Sequence, residues 1–141
     1  MHRTMEFRRE LTKDAERVWA TIAAVGGVDK WFPGILSCRV EGSGVGARRY
    51  CEMAGGVHLE ETVLAIDHAN RSFRYRVDEG LPVASYEGTM QLRAAPDGRT
   101  ELIWTVTFGG TEDSLAAMEG MLQQLAPAGL DGLVNAANAA A

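Results

Sequence analysis

Cysteine is scarce in this sequence. The two present among 141 residues are too few for a disulfide scaffold and lack zinc-finger spacing. No apolar run reaches transmembrane length, and the opening MHRTMEFRRE has no apolar core of the kind a secretory signal needs. Positive charge is also in deficit. Fourteen Lys and Arg stand against 19 Asp and Glu, and the net charge of −5 disfavours nucleic acid or an anionic membrane as partner, because both attract basic surfaces. Internal repeats are missing. The histidines and carboxylates have no metal-ligand spacing, and no Ser/His/Asp order suggests a nucleophilic triad. These absences lead us to expect a cytoplasmic protein with no metal and no cofactor.

What is there is the balance of a globular chain, 46% hydrophobic and 23% charged. The length suits a single domain over residues 1–141, long enough for a real core. A homodimer stays open.

One stretch tempts a nucleotide-binding reading. In VEGSGVGARRY, residues 40–50, Gly42, Gly44 and Ala47 fit G-x-G-x-x-G/A, a strand-like ILSCRVE precedes them, and Asp67 follows at the distance of a ribose-binding acid. Such a turn must open a helix whose amides hold the pyrophosphate. ARRYCEMAGG has no helical apolar spacing, so the glycines read as a hairpin turn. With the tip at Gly44-Val45, Glu41 faces Arg48 and Cys38 faces Cys51 on one sheet face, Cβ atoms ~4.5–5.5 Å apart. In an intracellular chain the two thiols are expected reduced.

Along the chain, TMEFRRELT alternates as a strand, with Met5, Phe7 and Arg9 on one face. Thr12 or Asp14 can cap a helix carrying Ala15, Val18, Trp19 and Ile22. Gly26-Gly27 ends it, a turn at VDKWF follows, and Pro33-Gly34 breaks the chain again. ILSCRVE, ARRYCEMA, LEETVLAID, SFRYRVDE, ASYEGTMQLRA and TELIWTVTF read as strands separated by turn residues. After Thr111 comes a long helical pattern with Leu115, Met118, Leu122, Leu125 and Leu133 on one face, Glu112 and Asp113 in its first turn, and Pro127 expected to kink or divide it. The end NAANAAA reads as a fraying helix terminus. The class is α+β with one antiparallel sheet of six or seven strands.

With the strands placed, VWATIAAVGGVDKWFPGILSCRVEGSGVGARRY, LEETVLAID, SFRYRV, SYEGTMQL and GRTELIWTVTF resemble the START-like helix-grip superfamily (SRPBCC). It includes polyketide cyclase/dehydrase-like proteins, the birch-pollen-allergen group and the abscisic acid receptors. The resemblance implies a curved sheet gripping the C-terminal helix, with a ligand cavity between them. It implies that Glu61 matches a pocket carboxylate, that Phe73 and Tyr86 match pocket aromatics, and that Phe32 stands where the receptors have a ligand-binding lysine. AGGVH and EGLPV would be the loops at the mouth. Phe32 cannot pair with an acid, which points to a less acidic ligand.

Strand alternation puts Phe73, Tyr75 and Val77 on one face with Tyr86, Gly88, Met90 and Leu92, and with Leu102, Trp104, Val106 and Phe108. Gly88 among large residues, and the polar tips of Tyr75, Tyr86 and Trp104, suit a cavity as well as a core. Met118 and Leu122 would face it from the helix. A carboxylate at Glu61 facing such a cavity is costly to ionise, the environment of a general acid or base. Tyr86 or His58 would be its proton-transfer partner. Arg48 and Arg49 read as a solvated or salt-bridged strand face. Two functions follow. One is a cofactor-free cyclase, dehydratase or isomerase acting on a bound polyketide, aromatic or lipid-like molecule. The other is a non-catalytic carrier or sensor of such a small hydrophobic molecule.

Overall fold

Residues 1–11 and 14–139 are described in a computed structural model of the chain. Strand β1 (His2–Leu11) leads to helix α1 (Ala15–Ala23), a 3-10 turn (Val28–Lys30), and strands β2 (Ile35–Glu41), β3 (Arg48–Met53), β4 (Val57–Asp67), β5 (Ser72–Glu79), β6 (Ser85–Ala94) and β7 (Thr100–Gly109). Helix α2 (Glu112–Ala139) follows. The strands form one antiparallel sheet in the order β1-β7-β6-β5-β4-β3-β2. Every neighbour from β2 to β7 is next in sequence, as short turns require, and β1 closes against β7. This is the expected α+β helix-grip architecture with seven strands.

The hairpin register is the expected one. Glu41 pairs with Arg48 and Cys38 with Cys51 across β2–β3, and β3 begins at Arg48 where a dinucleotide fold would have a helix. The thiol expectation is corrected, because Cys38 and Cys51 are joined as a disulfide. Directly opposed positions on one face put the two sulfurs within reach of each other.

Helix α2 runs through Pro127 without the division that was one of the two expected effects of that proline. Its Leu115, Met118, Leu122, Leu130 and Leu133 are buried, so packing along the whole apolar stripe outweighs the one backbone hydrogen bond that proline forfeits. Thr111 caps it, accepting a hydrogen bond from the Ser114 N–H on Oγ1 at 3.1 Å. At α1 the N-cap residue is Asp14, with no side-chain capping bond. Thr12 and the last two residues of NAANAAA lie outside the described residues.

Two glycines set the distance between α2 and the turn before β2. A methyl group at Gly129 would press on the Phe32 ring, and one at Gly132 would collide with the Trp31 carbonyl oxygen. Side chains there would hold the Trp31-Phe32 segment off the helix. Arg3 to Glu119 and Arg9 to Asp131 tie the edge strand β1 to the same helix. No helix among the described residues is long and apolar enough to cross a membrane.

Candidate functional site

Between the inner face of the sheet and α2 lies a cavity of about 90 Å³. Strand alternation delivers its walls, since β5, β6 and β7 each send every second residue inward. Phe73, Tyr75, Tyr86, Met90 and Trp104 all line it, with Met118 and Leu122 from α2 and Phe32 from the turn. Phe32 stands edge-on to Trp104, ring centroids 5.8 Å apart. The remaining lining adds Met53, Leu59, Leu81, Met121 and Leu125, so most of the surface is apolar.

The polar part is concentrated. Glu61 on β4 lines the cavity, as does Arg49 directly opposite it on β3. The guanidinium Nη2 lies 2.7 Å from the carboxylate Oε1. Both residues are buried, Arg49 at 6% and Glu61 at 8% exposure, and they are the only charged side chains so buried among the described residues. Arg49 also donates from Nη1 to the Val25 carbonyl at 3.1 Å. Its charge sits 5.5 and 5.3 Å from the Phe73 and Tyr75 ring centres, a cation–π arrangement strengthened by desolvation. Its Nε has no partner. The cavity's carboxylate is therefore one half of a closed ion pair, with each charge compensating the cost of burying the other.

Sequence reasoning allowed Arg49 a salt bridge, which it makes, but missed its place in the cavity wall. A signal was present, since Arg49 shares strand parity with Cys51, which the hairpin register had already turned to the same face as Cys38. Arg48, of opposite parity, is the surface residue, reaching Glu60 at 3.3 Å and Asp78 at 3.9 Å.

A second polar run crosses the cavity. The Trp104 indole N–H donates to the Tyr75 hydroxyl at 3.1 Å, and the Tyr75 and Tyr86 rings lie side by side with centroids 6.3 Å apart. Burial drives the Tyr75 phenol well above its ordinary range, with the Glu61 charge adding to it. Burial likewise raises Tyr86, and Tyr75 adds to the effect. Near neutral pH both are protonated hydroxyls, able to donate but unable to act as bases.

Three expected site residues are elsewhere. His58 belongs to β4 on the opposite parity from Leu59 and Glu61, so it points outward, exposed, with Nδ1 2.6 Å from Glu52. It is not brought together with Glu61. Gly88 does not border the cavity, because it pairs with Tyr75 in register and the Tyr75 ring lies over it where any Cβ would collide. Phe108 is fully buried and stacks on Tyr86 with centroids 6.4 Å apart, behind the wall rather than in it. Of the two expected mouth loops, EGLPV supplies Leu81 to the lining. AGGVH shortens to the turn before β4, with Gly80 packed against the His58 carbonyl and the Leu59 side chain.

No group of three His, Cys, Asp or Glu among the described residues could hold a metal ion. No functionally curated protein matches the chain. Among solved structures it is similar to the ZhuI aromatase/cyclase from Streptomyces sp. R1128, at 20% identity over 98% of this chain and 94% of that one, TM-score 0.81. It is also similar to norcoclaurine synthase from Thalictrum flavum in complex with dopamine and hydroxybenzaldehyde, at 16% identity over 94% and 84% of the chains, TM-score 0.76. A third likeness is to Ara h 8.0201, at 18% identity over 96% and 99%, TM-score 0.72. At these identities the structural likeness establishes the fold, and function is argued from the site. The family model described as polyketide cyclase / dehydrase and lipid transport matches residues 2–138, and the chain belongs to that family.

Proposed function

We propose that the protein binds a small hydrophobic molecule in the cavity between the sheet and α2, as a carrier or sensor without turnover. The observation that carries this reading is the closed Arg49–Glu61 pair in an otherwise apolar cavity. A general base needs a carboxylate free to take a proton, whereas Glu61 is engaged by a guanidinium; of its two expected partners, His58 faces away and Tyr86 lines the cavity as a protonated phenol. Ligand sites with few polar groups in an apolar wall are the usual form of a binding pocket.

Size narrows the ligand. About 90 Å³ is less than the ~150 Å³ of an apolar cavity that takes benzene. Met53, Met90, Met118 and Met121 line the space, and unbranched methionines repack readily around a guest. A single ring or short chain is the scale that such repacking accommodates. Native mass spectrometry of the purified full chain tests the reading. A retained small molecule, or stoichiometric uptake of a ring-sized apolar compound, is expected. A protein that takes up none overturns it.

A second reading has its own support, because Glu61, Arg49 and Tyr86 line one cavity. A cofactor-free cyclase or dehydratase would use Arg49 and the phenol to stabilise a developing enolate, with Glu61 exchanging the proton. Conversion of the retained molecule by the native chain, lost in Glu61→Gln, would favour this reading over a carrier.

A further inference from the structure

We infer that the Arg49–Glu61 pair selects the ligand's charge: the cavity admits an uncharged, ring-sized molecule carrying an oxygen and rejects its anionic counterpart. This rests on the binding role proposed above and names the ligand class it serves.

Charge balance is the first ground. Arg49 and Glu61 are the only buried charged side chains among the described residues, and they are closed on each other at 2.7 Å. The cavity is therefore neutral as a whole. An anion drawn to Arg49 arrives equally beside Glu61, and in a site of low dielectric that repulsion is poorly screened. A buried arginine usually reads as an acceptor of acids; here its counter-ion is already built in. A cation meets the same obstacle in reverse. Only an uncharged guest leaves the pair intact.

The oxygen follows from counting hydrogen-bond donors. An indole N–H can only donate, so the Tyr75 oxygen accepts from Trp104. Tyr86 lies beside Tyr75, ring centroids 6.3 Å apart. Between themselves the two phenols can use at most one of their two protons, so at least one is left over, and both phenols line the cavity. A hydroxyl or carbonyl oxygen on the guest satisfies that proton. A pure hydrocarbon leaves it unmet.

Three probes of similar shape separate these terms: 4-methylphenol, p-xylene and the 4-methylbenzoate anion. Binding to the full chain is read near neutral pH by calorimetry and by quenching of tryptophan fluorescence. For the native protein, 4-methylphenol should bind about five- to tenfold more tightly than p-xylene, the worth of one net hydrogen bond. 4-Methylbenzoate should bind at least tenfold more weakly than 4-methylphenol. Glu61→Gln keeps the shape and leaves Arg49 uncompensated, so 4-methylbenzoate should gain about tenfold or more while p-xylene changes little. Arg49→Met with Glu61→Leu restores neutrality with apolar groups and should exclude the anion again.

If the native chain takes the anion as tightly as the phenol, or Glu61→Gln fails to admit it, the charge selection is wrong even though the cavity binds. If none of the probes binds, the binding role itself falls. Should Glu61→Gln not fold, the native ranking and the double variant, whose apolar replacement of a buried pair is commonly tolerated, still decide.

Discussion

Arg49 and Glu61 are worth little as separate residues and a great deal as a pair. Removing one partner strands the other, so Arg49→Met should lower stability by about 3–5 kcal/mol, whereas Arg49→Met with Glu61→Leu should come within ~1 kcal/mol of the native chain or exceed it. Urea titration of the four proteins of this cycle gives the coupling directly. A single-variant loss below about 1 kcal/mol would mean the pair is solvated like those on the outer face, such as Arg74–Glu87 at 3.4 Å, where exposure limits the gain. Gly88 offers a second test at this scale. The Tyr75 ring occupies the space of its missing side chain, so Gly88→Ala must displace the ring and should cost roughly 1–3 kcal/mol. In a Tyr75→Leu background the same change should cost less. His58→Ala, by contrast, alters an exposed outward position and should stay within about 0.5 kcal/mol of native.

Helix α2 carries glycines of opposite character, and the difference belongs to the element rather than to any one contact. Gly120 is exposed and a methyl group there meets nothing within 4 Å. Gly120→Ala should therefore stabilise the protein by up to ~1 kcal/mol through helix propensity and reduced chain entropy. Gly132 has the same intrinsic preference for replacement, yet its Cβ would run into the backbone carbonyl of Trp31. Backbone cannot rotate away as a side chain can, so Gly132→Ala should destabilise and should loosen the Trp31-Phe32 segment that forms part of the cavity wall. Thermal melts of the two variants should shift in opposite directions; a common direction would mean that α2 is not seated on that segment. The β2–β3 hairpin is the other element with a built-in constraint. Its disulfide spans 13 positions, and closing a loop of about this size is worth ~3 kcal/mol in chain entropy. Adding reductant should lower the midpoint of urea unfolding by that order. Intact mass before and after alkylation tells whether the bond is present in the purified protein.

At the scale of the whole molecule, the buried phenols couple the fold to alkaline pH. Tyr75 and Tyr86 are raised above the ordinary phenol range, chiefly by burial. A group whose folded pKa exceeds its unfolded value contributes its full stability below the unfolded pKa, about 10 for tyrosine. That contribution is lost as pH rises toward the folded value, because only the unfolded chain ionises in between. Stability should therefore fall with pH from about 10 upward. Phenolate absorbance from these two residues should appear together with unfolding rather than before it. Tyr75→Phe should flatten the decline. Ionisation of all three tyrosines in the folded state would show that the cavity is open to water.

Much of this architecture was legible in the chain itself. Period-two alternation in SFRYRVDE, SYEGTMQL and TELIWTVTF assigned the inner face, because a strand has only two sides and apolar residues take the dry one. The glycine turn after ILSCRVE specified the hairpin, since ARRYCEMA has no helical spacing to support any other continuation. Local pattern therefore determined the strands, their inner face and the long C-terminal helix, while the grip of the sheet on that helix and the cavity between them were what the family resemblance implied. What it did not determine was which polar groups the wall would contain. Arg49 reads as part of a solvated or salt-bridged strand face until Glu61, 12 positions away on the next strand, is placed opposite it; a buried charge is tolerable only with its partner, and partners across strands are set by register. Gly88 reads as free space until Tyr75 is seen lying over it, and His58 reads as a loop residue until β4 extends back to Val57 and turns it outward. Cavity volume and charge balance are properties of many side chains converging from strands and a helix far apart in sequence. They arise from packing, which only the tertiary structure decides.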